Sequence, residues 1–107
     1  MTVLDDLIDE TREFARRRDW LGFHTPKNLA MAIAGEAGEL ASEFRWMTPE
    51  HATREALSVE ELDAIRFEMA DVFIFLLRLS DVLGVDLAVS AREKLSRNEG
   101  RFPVVGE

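Results

Sequence analysis

Apolar residues recur three and four positions apart along most of this chain, and no stretch alternates strictly between apolar and polar residues. This spacing is typical of amphipathic helices. Glycine and proline are scarce, and no Asn-Gly pair marks a β-hairpin. With 107 residues, the sequence therefore predicts one all-α domain that spans residues 1–107.

Capping signals divide the chain into helices, because serine, threonine and aspartate favour N-caps and proline favours the first helical position. The predicted helices run from near Thr2 to about Arg18, from Pro26 to about Trp46, from Ser58 to Gly84 and from Leu87 to Asn98. A short helix is also predicted from Thr48 to Leu57, and an extended tail from Gly100 to Glu107. Together they predict a compact antiparallel four-helix bundle. Gly35 and Gly38, inside the second helix, predict close packing of another backbone there.

Composition excludes several classes of protein. Thirteen basic and 21 acidic side chains give a net charge of −8, so binding to a nucleic acid polymer or an anionic membrane through a diffuse basic surface is not expected. The absence of cysteine excludes thiolate metal sites and cysteine nucleophiles. The first ten residues lack a signal-peptide pattern, and the longest apolar run, Val72–Leu77, is too short to span a membrane. We therefore expect a cytoplasmic protein.

Two pairs of carboxylates lie in otherwise apolar helices. Glu36 and Glu39 are three residues apart, as are Glu68 and Asp71, so each pair shares one helical face. If the two helices pack together, four acidic groups converge, and a divalent cation would relieve their repulsion. Oxygen ligands favour Mg²⁺ or Mn²⁺ over zinc or copper. The alternative is a solvated charged face that has this spacing by chance.

The third predicted helix is apolar on nearly all sides around residues 73–77. A small monomer cannot bury every face of such a helix, so a subunit interface is expected. The sequence thus predicts at least a homodimer. His51 and Asp81 are expected on the solvated surface.

The acidic pairs and several further motifs resemble the MazG-like all-α nucleoside triphosphate pyrophosphohydrolases. The matching segments, in chain order, are Arg18-Asp19-Trp20, Phe23-His24-x-Pro26-x-Asn28-Leu29, Gly35-Glu36-x-Gly38-Glu39-Leu40, Phe44-x-Trp46, Glu68-x-x-Asp71, Lys94, Asn98 and Arg101-Phe102-Pro103-Val104. The combination is similar to the dCTP pyrophosphatase branch and spans about residues 14–104. It implies a helical bundle that assembles as a homodimer or a dimer of dimers.

The resemblance implies an enzyme that cleaves a nucleoside triphosphate between the α and β phosphates, giving monophosphate and pyrophosphate. It implies Mg²⁺ ligands at Glu36, Glu39, Glu68 and Asp71, of which Glu39, Glu68 and Asp71 are expected to be catalytic. Substrate contacts are implied at Trp20, His24, Asn28, Trp46, Phe75, Lys94, Asn98 and Arg101. Lys94 and Arg101 would neutralise phosphate charge, and Phe75 stands where this branch often has tyrosine.

The leading interpretation is therefore a Mg²⁺-dependent pyrophosphohydrolase for dCTP or modified dCTP that removes unwanted nucleotides from the pool. One alternative is the same reaction on dUTP, another base or a non-nucleotide pyrophosphate. A second is a non-catalytic helical dimer whose acidic residues bind a structural metal or none. Without the resemblance, Trp20 and Trp46 are better explained as packing aromatics, and His24 as a local hydrogen-bonding residue.

Overall fold

The computed structural model describes residues 2–106 and contains helices as its only regular elements within that range. The helices are α1 (Val3–Arg17), α2 (Pro26–Phe44), α3 (Val59–Leu83) and α4 (Leu87–Arg101). The prediction of an all-α protein with four helices is confirmed.

The helix ends are fixed by side chains that satisfy free backbone groups. Thr2 and Ser58 form reciprocal capping boxes at the starts of α1 and α3. The hydroxyl of Thr25 and the carboxylate of Asp86 accept backbone N–H groups at the starts of α2 and α4, at 3.2 and 3.0 Å. Gly84 ends α3 in the left-handed region, at φ +66°, where a side chain would be strained.

The segment between α2 and α3 differs from the prediction, because residues 48–57 form turns and no helix. The hydroxyls of Thr48 and Thr53 accept backbone N–H groups three residues ahead, each at 3.2 Å. Such local bonds compete with a helix, which is costly to nucleate in so short a segment. His51 bonds to Glu61 at 2.9 Å and ties these turns to the first turn of α3; its ring is surface-exposed, as predicted.

Helix α3 is the centre of the packing, since both α1 and α2 pack against it. Within residues 2–106, the buried apolar side chains come from α1, α2 and α3 and are Ala15, Leu29, Ile65 and Leu77. By contrast, α4 has no buried residue and continues to Arg101, past the predicted end at Asn98. The radius of gyration is 17.0 Å, whereas about 13 Å is usual for 100 residues, so the chain is less compact than predicted.

The close backbone contact predicted at Gly35 and Gly38 is wrong within the described chain. No atom of residues 2–106 outside the local helix lies within 4 Å of where a Cβ would stand at either glycine. Large apolar side chains of α3 also remain exposed, among them Phe67 and Met69 at 56% each. None of the four helices is both long and apolar enough to cross a membrane.

Candidate metal centre and adjoining cavity

The packing of α2 on α3 brings three of the four predicted metal ligands together. One carboxylate oxygen each of Glu36, Glu68 and Asp71 lies within 4.8 Å of the other two. Glu68 and Asp71 share a face of α3 because they are three residues apart, and Glu36 lies on the face of α2 that also buries Leu29. Glu39 is exposed and outside this group of three. We call Glu36, Glu68 and Asp71 the carboxylate cluster.

The carboxylate cluster concentrates negative charge with little compensation. Burial raises the pKa of Glu68, and the nearby carboxylates of Glu36, Asp71 and Glu39 raise it further. Oε2 of Glu68 is buried and lacks a hydrogen-bond partner within residues 2–106. A buried oxygen without a donor is costly. The all-oxygen donor set and this orphaned atom both fit a hard divalent cation.

The two arginines that the sequence places nearest the carboxylate cluster are paired elsewhere. Arg66 bonds to Asp63 at 2.9 Å on the exposed side of α3. Arg78 bonds to Asp81 at 2.6 Å and to His24 at 3.1 Å. Within residues 2–106, neither guanidinium forms an ion pair with a member of the carboxylate cluster.

A cavity of about 410 Å³ lies beside the carboxylate cluster, between α1, the loop that follows it and α3. Its lining is mostly apolar and comprises Glu10, Thr11, Phe14, Ala15, Trp20, His24, Asp71, Ile74, Phe75 and Arg78. Asp71 belongs to both the cavity wall and the carboxylate cluster. The cavity and the cluster are thus joined at one side chain.

Aromatic rings form a continuous row along the cavity. The centroid distances are 5.9 Å from Phe14 to Trp20, 6.3 Å from Trp20 to His24 and 6.4 Å from His24 to Phe75. The first and last pairs meet edge to face, an arrangement that aromatic quadrupoles favour. Trp20, His24 and Phe75, which the sequence assigned to substrate binding, are therefore brought together.

The loop carrying Trp20 and His24 is held by local hydrogen bonds. Asp19 adopts φ +58°, which turns the chain out of α1. The backbone N–H of His24 donates to the carbonyl of Trp20 at 3.1 Å. The side-chain amide of Asn28 donates to the carbonyl of Phe23 at 3.0 Å, so Asn28 links this loop to the first turn of α2.

His24 is held from α3 by a buried arginine. Nε of Arg78 donates to Nδ1 of His24 at 3.1 Å. Burial lowers the pKa of His24, and the charge of Arg78 lowers it further. Asp81 receives bonds from both Arg78 and Arg12, and the bonds from Arg12 in particular hold the pKa of Asp81 low. The expectation that Asp81 is solvated is wrong, because its side chain is only 16% exposed.

Other predicted substrate residues lie outside the cavity lining. Trp46 follows the end of α2 and is 85% exposed, with the guanidinium of Arg45 5.0 Å from its ring centroid. Lys94 and Arg101 are exposed on α4. Asn98 is half-buried there, and its Oδ1 is buried with no hydrogen-bond partner in the described chain.

Sequence reasoning missed several cavity residues. Those not singled out as site residues are Glu10, Thr11, Phe14, Ala15, Ile74 and Arg78. Their signal was helical spacing, since residues 10, 11, 14 and 15 share one face of α1 and residues 71, 74, 75 and 78 share one face of α3. A stripe of this kind is also what an ordinary core produces, so spacing alone does not reveal a cavity.

Comparison with known proteins adds an independent line of evidence. A crystal structure of a pyrophosphatase from Archaeoglobus fulgidus aligns with a TM-score of 0.87 at 36% identity, over 97% of this chain and 95% of that one. No family model matches the chain. With its all-α fold and carboxylate cluster, the chain belongs to the MazG-like nucleoside triphosphate pyrophosphohydrolase family.

The curated relatives are more specific in name. dCTP pyrophosphatase 1 from Bos taurus is 40% identical over 102 residues, which are 95% of this chain and 60% of that protein. dCTP pyrophosphatase 1 from Homo sapiens is 39% identical over 101 residues, which are 94% of this chain and 59% of that protein. The chain therefore spans about three-fifths of the length of these relatives.

Proposed function

We propose that this chain hydrolyses a deoxynucleoside triphosphate to the monophosphate and pyrophosphate, with dCTP or a modified dCTP as the favoured substrate. The observation that carries the proposal is the position of Asp71, which joins the carboxylate cluster to the apolar cavity. A nucleotide has the same two parts, a charged phosphate chain and an aromatic base. The relatives named dCTP pyrophosphatase 1 support cytosine as the first base to test.

The carboxylate cluster, together with Glu39, is proposed to hold Mg²⁺, with Mn²⁺ as a substitute. The cation would supply charge neutralisation for the phosphate oxygens. Glu39 is exposed and outside the group of three, so its carboxylate would be the one least engaged by the cation, and we propose that it also accepts a proton from the attacking water. Glu68 and Asp71 would hold the reacting phosphates in place by fixing the cation site.

The aromatic row is proposed to hold the base. A cavity of about 410 Å³ lies within the range usual for small-molecule sites, about 300–1,000 Å³. Trp20 and Phe75 offer flat apolar faces for stacking, and Phe75 offers no hydroxyl. Asn28 would keep the loop of Trp20 and His24 in place through its bond to Phe23.

Four further predicted substrate contacts lie outside the cavity lining and are kept as part of the proposal. Trp46 is proposed to cover the base, and Lys94, Asn98 and Arg101 to contact the phosphates. The buried, unpaired Oδ1 of Asn98 supports a further polar partner for α4.

The chain is also proposed to form a homodimer or a dimer of dimers. The exposed apolar side chains of α3 and the poorly packed α4 support this. Light scattering at several concentrations tests it, and a monomer at every concentration would refute it. We also propose a cytoplasmic role in clearing unwanted nucleotides from the pool, which rests on the proposed reaction and on the location expected from the sequence.

The test of the reaction is a panel of deoxynucleoside and nucleoside triphosphates, including 5-methyl-dCTP, incubated with Mg²⁺ and resolved by chromatography. We expect monophosphate and pyrophosphate from the wild type and neither from Asp71→Ala. Asp63→Ala is the matched control, because Asp63 is an aspartate of α3 outside the carboxylate cluster that pairs with Arg66. Diphosphate and phosphate as products would refute the reaction class. Mg²⁺ binding without turnover would instead support a structural metal site.

A further inference from the structure

Arg78 is a buried arginine for which the proposed reaction has no direct use. It is 3% exposed, and arginine is rarely buried unless it is paired. Its Nη1 donates to Asp81 at 2.6 Å and its Nε donates to Nδ1 of His24 at 3.1 Å. Asp81 in turn accepts two hydrogen bonds from Arg12 of α1, at 2.8 and 2.6 Å. The guanidinium of Arg78 is therefore fixed in position relative to His24.

The bond from Arg78 decides which nitrogen of His24 carries the proton. A guanidinium only donates hydrogen bonds, so Nδ1 of His24 must be unprotonated to accept one. A neutral imidazole with a free Nδ1 carries its proton on Nε2. Burial and the positive charge of Arg78 also oppose protonation of the ring. Without Arg78, no described contact favours this tautomer over the other.

Nε2 of His24 is left available to a ligand. His24 lines the cavity, and its only side-chain hydrogen bond within residues 2–106 is the one to Arg78. Nε2 has no hydrogen-bond partner within residues 2–106 and is not fully buried, so a ligand can reach it. The cavity lining also includes Glu10 and Asp71, whose carboxylates only accept hydrogen bonds when ionised.

We propose that Arg78 is a positioning residue that locks His24 as its Nε2–H tautomer, so that His24 presents a hydrogen-bond donor to the molecule held in the cavity. That molecule is an aromatic base with a carbonyl oxygen or an unprotonated ring nitrogen, a part of the inference that rests on the proposed function. Asp81 and Arg12 act behind Arg78 by holding its guanidinium. The tautomer itself does not depend on the reaction.

Nitrogen-detected NMR of the ¹⁵N-labelled imidazoles tests the tautomer directly. The chain has 2 histidines, and His51 serves as the internal reference. At neutral pH we expect His24 of the wild type to be a single Nε2–H tautomer. In Arg78→Met we expect a mixture of tautomers, with His51 unchanged. A wild-type His24 that is protonated on Nδ1, or an unchanged tautomer in a folded Arg78→Met protein, overturns the proposal.

A double-mutant cycle tests whether Arg78 acts through His24. We expect Arg78→Met to lower kcat/KM about tenfold, mainly by raising KM, as for the loss of one hydrogen bond. His24→Leu should lower it at least as much, and the double variant no further than His24→Leu alone. Arg66→Met is the matched control, because Arg66 is an exposed arginine of α3 outside the cavity. Multiplicative losses would mean that Arg78 acts independently of His24 and would overturn the proposal.

The two experiments separate failure of this inference from failure of the proposed function. If no nucleotide is hydrolysed by the wild type, the reaction is wrong, yet the NMR measurement still decides the tautomer. If nucleotides are hydrolysed and His24 shows the other tautomer, only the role of Arg78 is wrong.

Discussion

Replacing Glu68 by glutamine should stabilise the protein without metal and remove its response to metal. Burial and the neighbouring carboxylates raise the pKa of Glu68, and its Oε2 is buried without a donor. Glutamine removes one negative charge from the carboxylate cluster, and its amide can donate to Glu36. It also removes one of the three oxygen ligands. The substitution should therefore stabilise the metal-free protein and weaken the stabilisation that metal binding provides.

The size of the metal response follows from linkage between binding and folding. A cation that binds only the native state stabilises it by about 2.7 kcal/mol at 100 times its Kd. For a chain of this size each kcal/mol raises Tm by about 4–8 °C, so the wild type should gain on the order of 10 °C. If the substitution weakens affinity about 100-fold, the same Mg²⁺ concentration contributes only about 0.4 kcal/mol.

The assay is thermal unfolding of the EDTA-treated protein, followed by tryptophan fluorescence with and without millimolar Mg²⁺. Glu50→Gln is the control, because Glu50 is an exposed glutamate in the turns between α2 and α3, outside the carboxylate cluster. It should reproduce the wild-type gain in Tm. An equal gain in Glu68→Gln and wild type would refute the assignment of the cation to this cluster. A lower Tm of metal-free Glu68→Gln would refute the argument from charge repulsion.

Three further predictions concern the cavity and the fold. Trp20→Ala should raise KM about tenfold through lost stacking, and initial-rate kinetics with an unchanged KM would contradict base binding there. Because the pKa of His24 is lowered in the folded state, the unfolded chain takes up that proton first, and stability falls as pH drops from about 6.5. His24→Gln should flatten this fall in urea unfolding at several pH values, whereas an equal slope would contradict it. Gly84 lies at φ +66°, so Gly84→Ala should lower the free energy of unfolding by about 1–2 kcal/mol. The control Gly100→Ala, inside α4, should not lower it. Equal urea midpoints for the two variants would refute the strain at Gly84.

The helix starts were predictable because each is decided by a few adjacent residues. Ser58 and Glu61 satisfy each other's backbone groups whatever the rest of the chain does. The failed helix at residues 48–57 shows the limit of this local reasoning. Thr48 does act as a cap, since it accepts the N–H of His51 at 3.2 Å, but no continuous helix follows it. The same bond serves a turn as well as a helix, and the sequence does not distinguish them.

The carboxylate cluster was predictable from the sequence, whereas the lining of the cavity was less so. A carboxylate pair in an apolar helix is conspicuous because burial of charge is costly, and Glu68 and Asp71 do meet Glu36. The role of Arg78 was not predictable, because its partners His24 and Asp81 come from a distant loop and from its own helix. Only the packing of the loop against α3 brings His24 to Arg78. The burial of Asp81 was not predictable for the same reason, because its partner Arg12 lies on α1.

The position of Asp71 has a consequence for how such a molecule diverges. This side chain lies in the carboxylate cluster and in the cavity wall at once, so a substitution there cannot alter what the cavity accepts while leaving the cluster intact. Phe14, Ile74 and Phe75 line the cavity and lie outside the cluster. Substitutions in these apolar walls can therefore change which ligand the cavity accepts without touching the cluster, whereas any substitution of Asp71 changes both at once.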